Sequence, residues 1–160
     1  MKEFKVSVII PVYNAAAYVR KAVESALAQP ETTEVLLIED GSPDNALEIC
    51  EQLASEFEKV KLFRHPNGEN RGAGASRNLG MREAREEFIA FLDADDYFLP
   101  GRFRQAVTLF DSDPDCEGVY EAAGMYIDSE EGIARWNSSG KSANALQTMS
   151  FGIPYENLAK

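Results

Sequence analysis

From the N-terminus, short apolar runs alternate with segments whose apolar residues recur every three or four positions. "VSVII" (6–10) is β-branched and closed by Pro11, the pattern of a buried central strand. Asn14 is placed to cap a helix whose apolar stripe is Val19, Val23, Ala26 and Leu27, together with Tyr18 and Ala22. "EVLLIED" (34–40) is a second strand, after which "GSPD" offers Ser42 as a cap and Pro43 at the first helical position. Ala46, Ile49, Cys50, Leu53 and Phe57 make the next helix's buried face. "VKLFRH" (60–65) predicts a weaker third strand, and a helix is expected from about Ala75 to Arg85 after the loop "PNGENRGAG". "FIAFL" (88–92) is the fourth strand. Pro100 opens a helix carrying Phe103, Ala106, Val107 and Phe110, and "GVYEAAGMYID" (118–128) returns to strand character.

Such alternation implies an α/β fold, a mostly parallel sheet with helices on both faces. Sheets of that kind bind ligands in the crevice at the carboxyl ends of their strands. Here three of those ends carry polar clusters, "PVYN", "EDGSPD" and "DADD", which places one candidate site on one edge. From Ser129 the chain is rich in glycine, serine and asparagine, with only "ANALQTM" suggesting a short helix.

Composition narrows the function. The length, 160 residues, suits one domain with a real core. A formal net charge of -11, with only 16 scattered lysines and arginines, argues against a nucleic-acid partner. No apolar run approaches the ~20 residues of a transmembrane helix. The N-terminal apolar stretch ends in Pro11 and reads as a first strand rather than a signal peptide. Cys50 and Cys116 lack motif spacing and are expected as reduced, buried cysteines of a cytoplasmic protein.

The acids of "FLDADD" need a positive partner, because carboxylates gathered at the mouth of a buried strand repel one another. In an extended segment Asp93 and Asp95 project to the same side, which suits a hard cation, Mg²⁺ or Mn²⁺. The alternative is a solvated acidic turn, and Asp96 fits that structural role. Tyr13 could stack on a nucleobase or belong to the core. Asp40, at a strand end outside the core, could accept from a base's imide N–H, with Glu39 its neighbour and Asp44 a first-turn helix charge. In "NRGAGASRNLG" a dinucleotide fingerprint fails, because Arg77 stands where a third small residue belongs. Glycines there let backbone approach a ligand while Arg77 reaches its phosphates. His65, the only histidine, reads as structural.

In order and spacing these clusters resemble the family 2 glycosyltransferases of the GT-A fold. "VSVIIPVYNAAAYVRKAVESALAQ" is similar to that family's opening strand and helix, and "IEDGSPD" to its "DDGSxD". "NRGAGASRNLG" is similar to "NxGxxxARNxG" and "FLDADD" to the DxD motif, so the resemblance covers about residues 5 to 104. It implies a nucleotide-sugar-binding core over 1–128 and the loop-rich start of an acceptor-side region over 129–160. It also implies that Pro11 and Tyr13 line a uracil pocket and that Asp40 bonds the uracil. Arg77 would lie near the diphosphate, Asp93 near the ribose, and Asp95 would bind the Mn²⁺ or Mg²⁺. UDP is the family's commonest donor nucleotide, and an acceptor saccharide or lipid-linked acceptor is implied. So is a cytoplasmic location at the inner face of a membrane, in cell-envelope polysaccharide synthesis.

One departure matters. Inverting transfer needs a carboxylate base to take the acceptor's proton, and in the family it lies well downstream of the DxD. Glu121, Asp128, Glu130, Glu131 and Glu156 are available, but none sits in a matching motif. The chain is therefore expected to be a donor-binding portion cut before its catalytic base. The competing expectation is a nucleotide-sugar-binding or regulatory module without catalysis. A phosphoacceptor receiver domain would want acids after the first strand, where this chain has "PVYN".

Overall fold

The computed structural model describes residues 3–120 together with 131, 134, 135 and 138. Strands β1 (Val6–Val12), β2 (Thr32–Glu39), β3 (Val60–Arg64) and β4 (Phe88–Phe91) form a sheet in the order β3-β2-β1-β4. All three pairings are parallel. The helices are α1 (Val19–Leu27), α2 (Ala46–Glu56), α3 (Gly72–Glu83) and α4 (Arg104–Ser112). No helix among the described residues is long and apolar enough to cross a membrane.

A central parallel strand is covered on both faces, so it must be apolar at nearly every position. Alternate residues of β1 and β2, including Val8, Ile10 and Leu37, pack in one cluster with Val23 of α1 and Leu53 of α2. The intervening Ile9, Leu36 and Ile38 pack with Leu79 of α3 and Ala84. Each fully buried aliphatic chain contributes ~1.5–3 kcal/mol. A nine-residue helix such as α1 does not persist alone, so this packing is what holds it.

Pro11 does not end β1, contrary to the sequence reading; it ends one ladder. Asp40 N–H donates to Val12 O on the β2 side, and Leu92 N–H donates to Ile9 O on the β4 side. Odd-numbered β1 residues therefore turn their backbone groups toward β4, and Pro11 is the next of these. Lacking an N–H, it cannot extend that ladder. Register with β4 stops at the pair Ile9–Phe91, while β1 continues beside β2 to Val12. The strands part there, and the crevice opens.

Helix starts differ from the sequence reading, each for a local reason. Asn14 lies in the left-handed region (φ 52) and caps nothing; α1 begins after Tyr18. Ser42 sits against Val12 O and the Asn14 amide, and Asp44 accepts from Ala46 N–H at 3.2 Å, so α2 begins at Ala46. Left-handed Gly101 (φ 75) delays α4 from Pro100 to Arg104. Helix α3 begins early, at Gly72, because a distant carboxylate satisfies its first amides.

The chain divides into a unit of residues 1–111 and a unit of 112–160. The expected boundary at 128 lies outside the described residues, as does the short helix at "ANALQTM". Residues 118–120 are not in a strand, and the remainder of the expected 118–128 strand lies outside them too. Within the second unit exposed Glu131 pairs with Arg135 at 3.3 Å. Both cysteines are free: Cys50 is buried, its thiol pushed up to about 12 by burial, whereas Cys116 is only half-buried rather than a core residue.

Gly80 sets how closely α3 lies on the sheet. A Cβ there would stand 2.4 Å from Cγ2 of the fully buried Ile9. Ala in place of Gly gains ~1 kcal/mol of helix propensity, but overpacking a dense core costs ~1–3 kcal/mol. A branched chain held on both sides cannot step aside, so the cost wins. Gly80→Ala is expected to destabilise the protein by ~1–2 kcal/mol in urea denaturation. A gain in stability would show that α3 can lift freely off β1.

Candidate functional site

The loops at the strand ends are tied together mainly by carboxylates. Asp44 accepts from Ala16 N–H at 2.9 Å, joining the loop after β2 to the loop after β1. Glu39 accepts from the Ser42 amide and from Arg64 Nε at 2.8 Å, joining the end of β2 to β3. Asp40 is 2% exposed, so it is a core residue, and the expectation that it lay outside the core is corrected. Its Oδ1 accepts from Arg71 N–H at 2.7 Å and its Oδ2 from Gly72 N–H at 2.8 Å. Helix α3 has no side-chain cap of its own, and Asp40 serves in that place from the next strand over. Gly72 is left-handed (φ 83), which glycine adopts at no steric cost, and this lets the chain turn onto the carboxylate.

On the far side of the crevice Asp93 to Asp96 form a turn closed by Asp96 N–H to Asp93 O at 3.0 Å. The extended geometry that would align Asp93 with Asp95 is therefore absent, because β4 ends at Phe91. Asp96 is a turn residue, as its position suggested. Arg77 of α3 reaches across to Asp93, the two forming an ion pair through Nη2 and Oδ1. Past the turn, the segment is pinned to α1. Lys21 Nζ lies 3.7 Å from the centroid of the Tyr97 ring, and Phe98 N–H donates to Ser25 Oγ at 3.0 Å.

Between these loops lies a cleft of about 270 Å³. Pro11, Tyr13, Asp40, Arg77, Asp93 and Asp95 all line it, so the structure brings together every site residue singled out in the sequence. Tyr13 is 53% exposed rather than core. Asp95 has no ion-pair or hydrogen-bond partner among the described residues. Sequence reasoning passed over Asn14, Tyr18 and Ala73, which also line the cleft. Tyr18 was hidden in the helical stripe of α1, yet it precedes the helix and its ring is 52% exposed. Burial, followed by the charges of Asp95 and Asp93, pushes the Asp96 carboxyl up.

An α/β domain with its cleft at the carboxyl ends of parallel strands is the class of protein defined so far. The Glycosyl transferase family 2 model matches residues 7–148. The chain belongs to that family, and its fold is the GT-A fold. It is 41% identical over 93 residues to an uncharacterized glycosyltransferase of Haemophilus influenzae, covering 58% of this chain and 36% of that one. It is 39% identical over 103 residues to the succinoglycan biosynthesis protein ExoU of Rhizobium meliloti, covering 64% and 30%. Among solved structures it is similar to S. aureus TarS 1-349 in complex with UDP, with TM-score 0.58 and 31% identity over 68% of this chain and 32% of that one. It is also similar to the mannosyltransferase PcManGT of Pyrobaculum calidifontis in complex with GDP-Man and Mn²⁺, with TM-score 0.58, 25% identity and coverage of 69% and 33%. The chain thus spans about a third of each of these proteins.

Glu39 stands where the family pattern has an aspartate, and it is 1% exposed. Burial alone would raise its carboxyl; the Ser42 amide and the Arg64 guanidinium outweigh that and hold it below the ordinary 4.5. Stability from such a group is fully present above its unfolded value and is lost as pH falls through the depressed folded one. The stability difference between the native protein and Glu39→Gln is therefore expected to be largest near neutral pH. It should shrink as pH falls below 4.5. Urea titrations from neutral pH down to about 3 check this. A difference that stays constant across that range would remove the charge of Glu39 from the account.

Proposed function

We propose that this chain forms the donor-binding part of a glycosyltransferase that takes a nucleotide sugar, with UDP as the nucleotide and a divalent cation as cofactor. The observation that carries this is the convergence of Tyr13, Asp40, Arg77, Asp93 and Asp95 on one cleft of a family 2 domain. The TarS and PcManGT complexes, with UDP, and with GDP-Man and Mn²⁺, support it by similarity.

The residues can be given roles. Tyr13, exposed beside Pro11, offers an aromatic face to the base. Each oxygen of Asp40 accepts one backbone N–H and keeps capacity for another donor, here the imide N–H of uracil. Asp93 meets the ribose, and Arg77 leaves Asp93 for the phosphates, trading one charge-assisted bond for others. Among the described residues no three His, Cys, Asp or Glu side chains group into a protein-made metal cage. That donor set fits Mg²⁺ or Mn²⁺, which take one or two carboxylates and complete their shell with phosphate and water. Asp95 would hold the ion, and the neighbouring Asp93 and Asp96 on the same turn add negative charge that favours one there. When bound, the ion supplies positive charge at a leaving diphosphate.

Transfer with inversion needs in addition a base for the acceptor hydroxyl. Three carboxylates line the cleft, Asp40, Asp93 and Asp95. The first holds two amides, the second an arginine, and the third is assigned to the ion. Of the candidate bases, Glu131 is exposed in the second unit, and Glu121, Asp128, Glu130 and Glu156 lie outside the described residues. The engagement of Asp40 and Asp93 within the cleft favours a second reading, a nucleotide-sugar-binding or regulatory module without catalysis.

Two measurements test these readings. Calorimetry is expected to show UDP binding in Mn²⁺ that weakens when a chelator is in excess, and Asp95→Asn should abolish the difference. Equal affinity in both conditions would take the metal out of the mechanism. UDP release from a panel of UDP-sugars by residues 1–160 is expected to show no acceptor dependence. Losing positioned proton transfer costs ~10²–10⁴-fold in rate. Acceptor-dependent turnover would sink the missing-base account and exclude the non-catalytic module.

A further inference from the structure

His65 has no place in the roles above, yet it stands directly behind two parts of the cleft. It follows β3, is 6% exposed, and turns Nε2 toward two oxygens. Ser76 Oγ is 3.0 Å away and Asp40 Oδ1 is 3.6 Å away. A carboxylate oxygen donates nothing, and a bare ring nitrogen facing it would be repelled. The proton therefore belongs on Nε2, donated to Ser76 Oγ, with its positive end also toward Asp40. Ser76 is fully buried and immediately precedes Arg77 in α3. One ring nitrogen thus touches the side chain that caps α3 and the turn of α3 that carries the cleft's arginine.

We propose that His65 is a positioning residue of the donor cleft, fixing Asp40 and the Ser76–Arg77 turn of α3 relative to each other through its Nε2–H. The proposal rests on the donor-binding reading for its effect on nucleotide affinity, but not for its effect on α3. Asp40 has two amides drawing its oxygens toward α3, at Arg71 and Gly72. The Nε2 that donates to Ser76 lies 3.6 Å from Oδ1, beyond hydrogen-bond length. The positive end of its N–H attracts the carboxylate from another side, which resists its turning with the helix end. Without that N–H Asp40 still accepts from its two amides but holds them less firmly, and α3 keeps its helix. What loosens is the rotation of α3 about its axis at Ser76, and with it the aim of Arg77 at Asp93 and at a phosphate. The effect falls on the cleft and not on whether the domain folds.

The test uses the 160-residue chain and three substitutions. His65→Phe keeps the ring's bulk and removes both nitrogens. His65→Gln sets an amide N–H near the place of Nε2, and His65→Asn sets one near the place of Nδ1. UDP affinity in Mn²⁺ is measured by calorimetry, and amide exchange at Arg71 and Gly72 is followed by NMR in the ligand-free protein. Removing a partner from a buried polar pair is worth about a ten-fold loss of affinity. His65→Phe and His65→Asn are expected to show that loss and faster exchange at both amides. His65→Gln is expected to stay near the native values in both. If His65→Phe does not fold, the contrast between Gln and Asn decides the matter alone. Native affinity and native exchange in a folded Phe or Asn variant would overturn the proposal, as would a Gln variant no better than Asn. If the native chain fails to bind UDP, the donor reading falls, and the exchange data still decide the role of His65.

Discussion

A buried carboxylate at the end of a parallel strand cannot stand without donors, and Asp40 is the one on which this architecture turns. Leaving such a group unpaired in the interior costs several kcal/mol. The sequence supplies its donors from the start of α3, the Arg71 and Gly72 amides. Those same amides are orphans at a helix terminus and need acceptors of their own. One contact settles both demands, and it fixes where α3 begins. Because α3 carries Arg77, and Gly80 presses the helix onto Ile9, the position of the cleft's arginine follows from the burial of Asp40.

The opposite wall is set by an absence of a donor. Pro11 withholds an N–H on the β4 side, so β1 and β4 separate after Ile9 and Phe91. The chain leaving β4 then turns at Asp93 to Asp96 instead of running on as a strand. That segment is held on both flanks, by Arg77 on one and by Lys21, Ser25 and Gln29 of the α1 region on the other.

The four strands and four α-helices of residues 6–112 were legible because β1 and β2 have apolar centres and α1, α2 and α4 keep a clear period. Helix starts were not, since α3 is capped by Asp40 from 31 and 32 residues away, and Ser42 is taken up by Val12 O and the Asn14 amide instead of capping α2. Local capping rules see only neighbours in sequence. The cleft residues were legible as clusters at strand ends and through the order of the motifs. Their mutual contacts were not: the Arg77–Asp93 pair and the approach of His65 to Ser76 and Asp40 are products of tertiary placement. The argument that Asp93 and Asp95 share a side assumed an extended backbone. It failed because β4 ends at Phe91, although both residues do line the cleft.

The charge of the cleft bears directly on the cation proposed for it. Arg77 is the one basic residue lining it among those described, and it is already engaged by Asp93. Asp95 and Asp96 add negative charge close by, on the same turn; burial first, and then the charges of Asp95 and Asp93, push the Asp96 carboxyl up. The chain as a whole carries -11. A nucleoside diphosphate arriving alone would meet repulsion from the turn before it met Arg77, and neighbouring like charges at ~4 Å repel by ~4 kcal/mol near a protein surface. A divalent ion held by Asp95 would supply positive charge there and so reverse the sign of that contact. Asp93 can then release Arg77 without leaving three uncompensated acids behind. Under the proposed function, metal dependence would follow from how few cations the fold places at its own crevice.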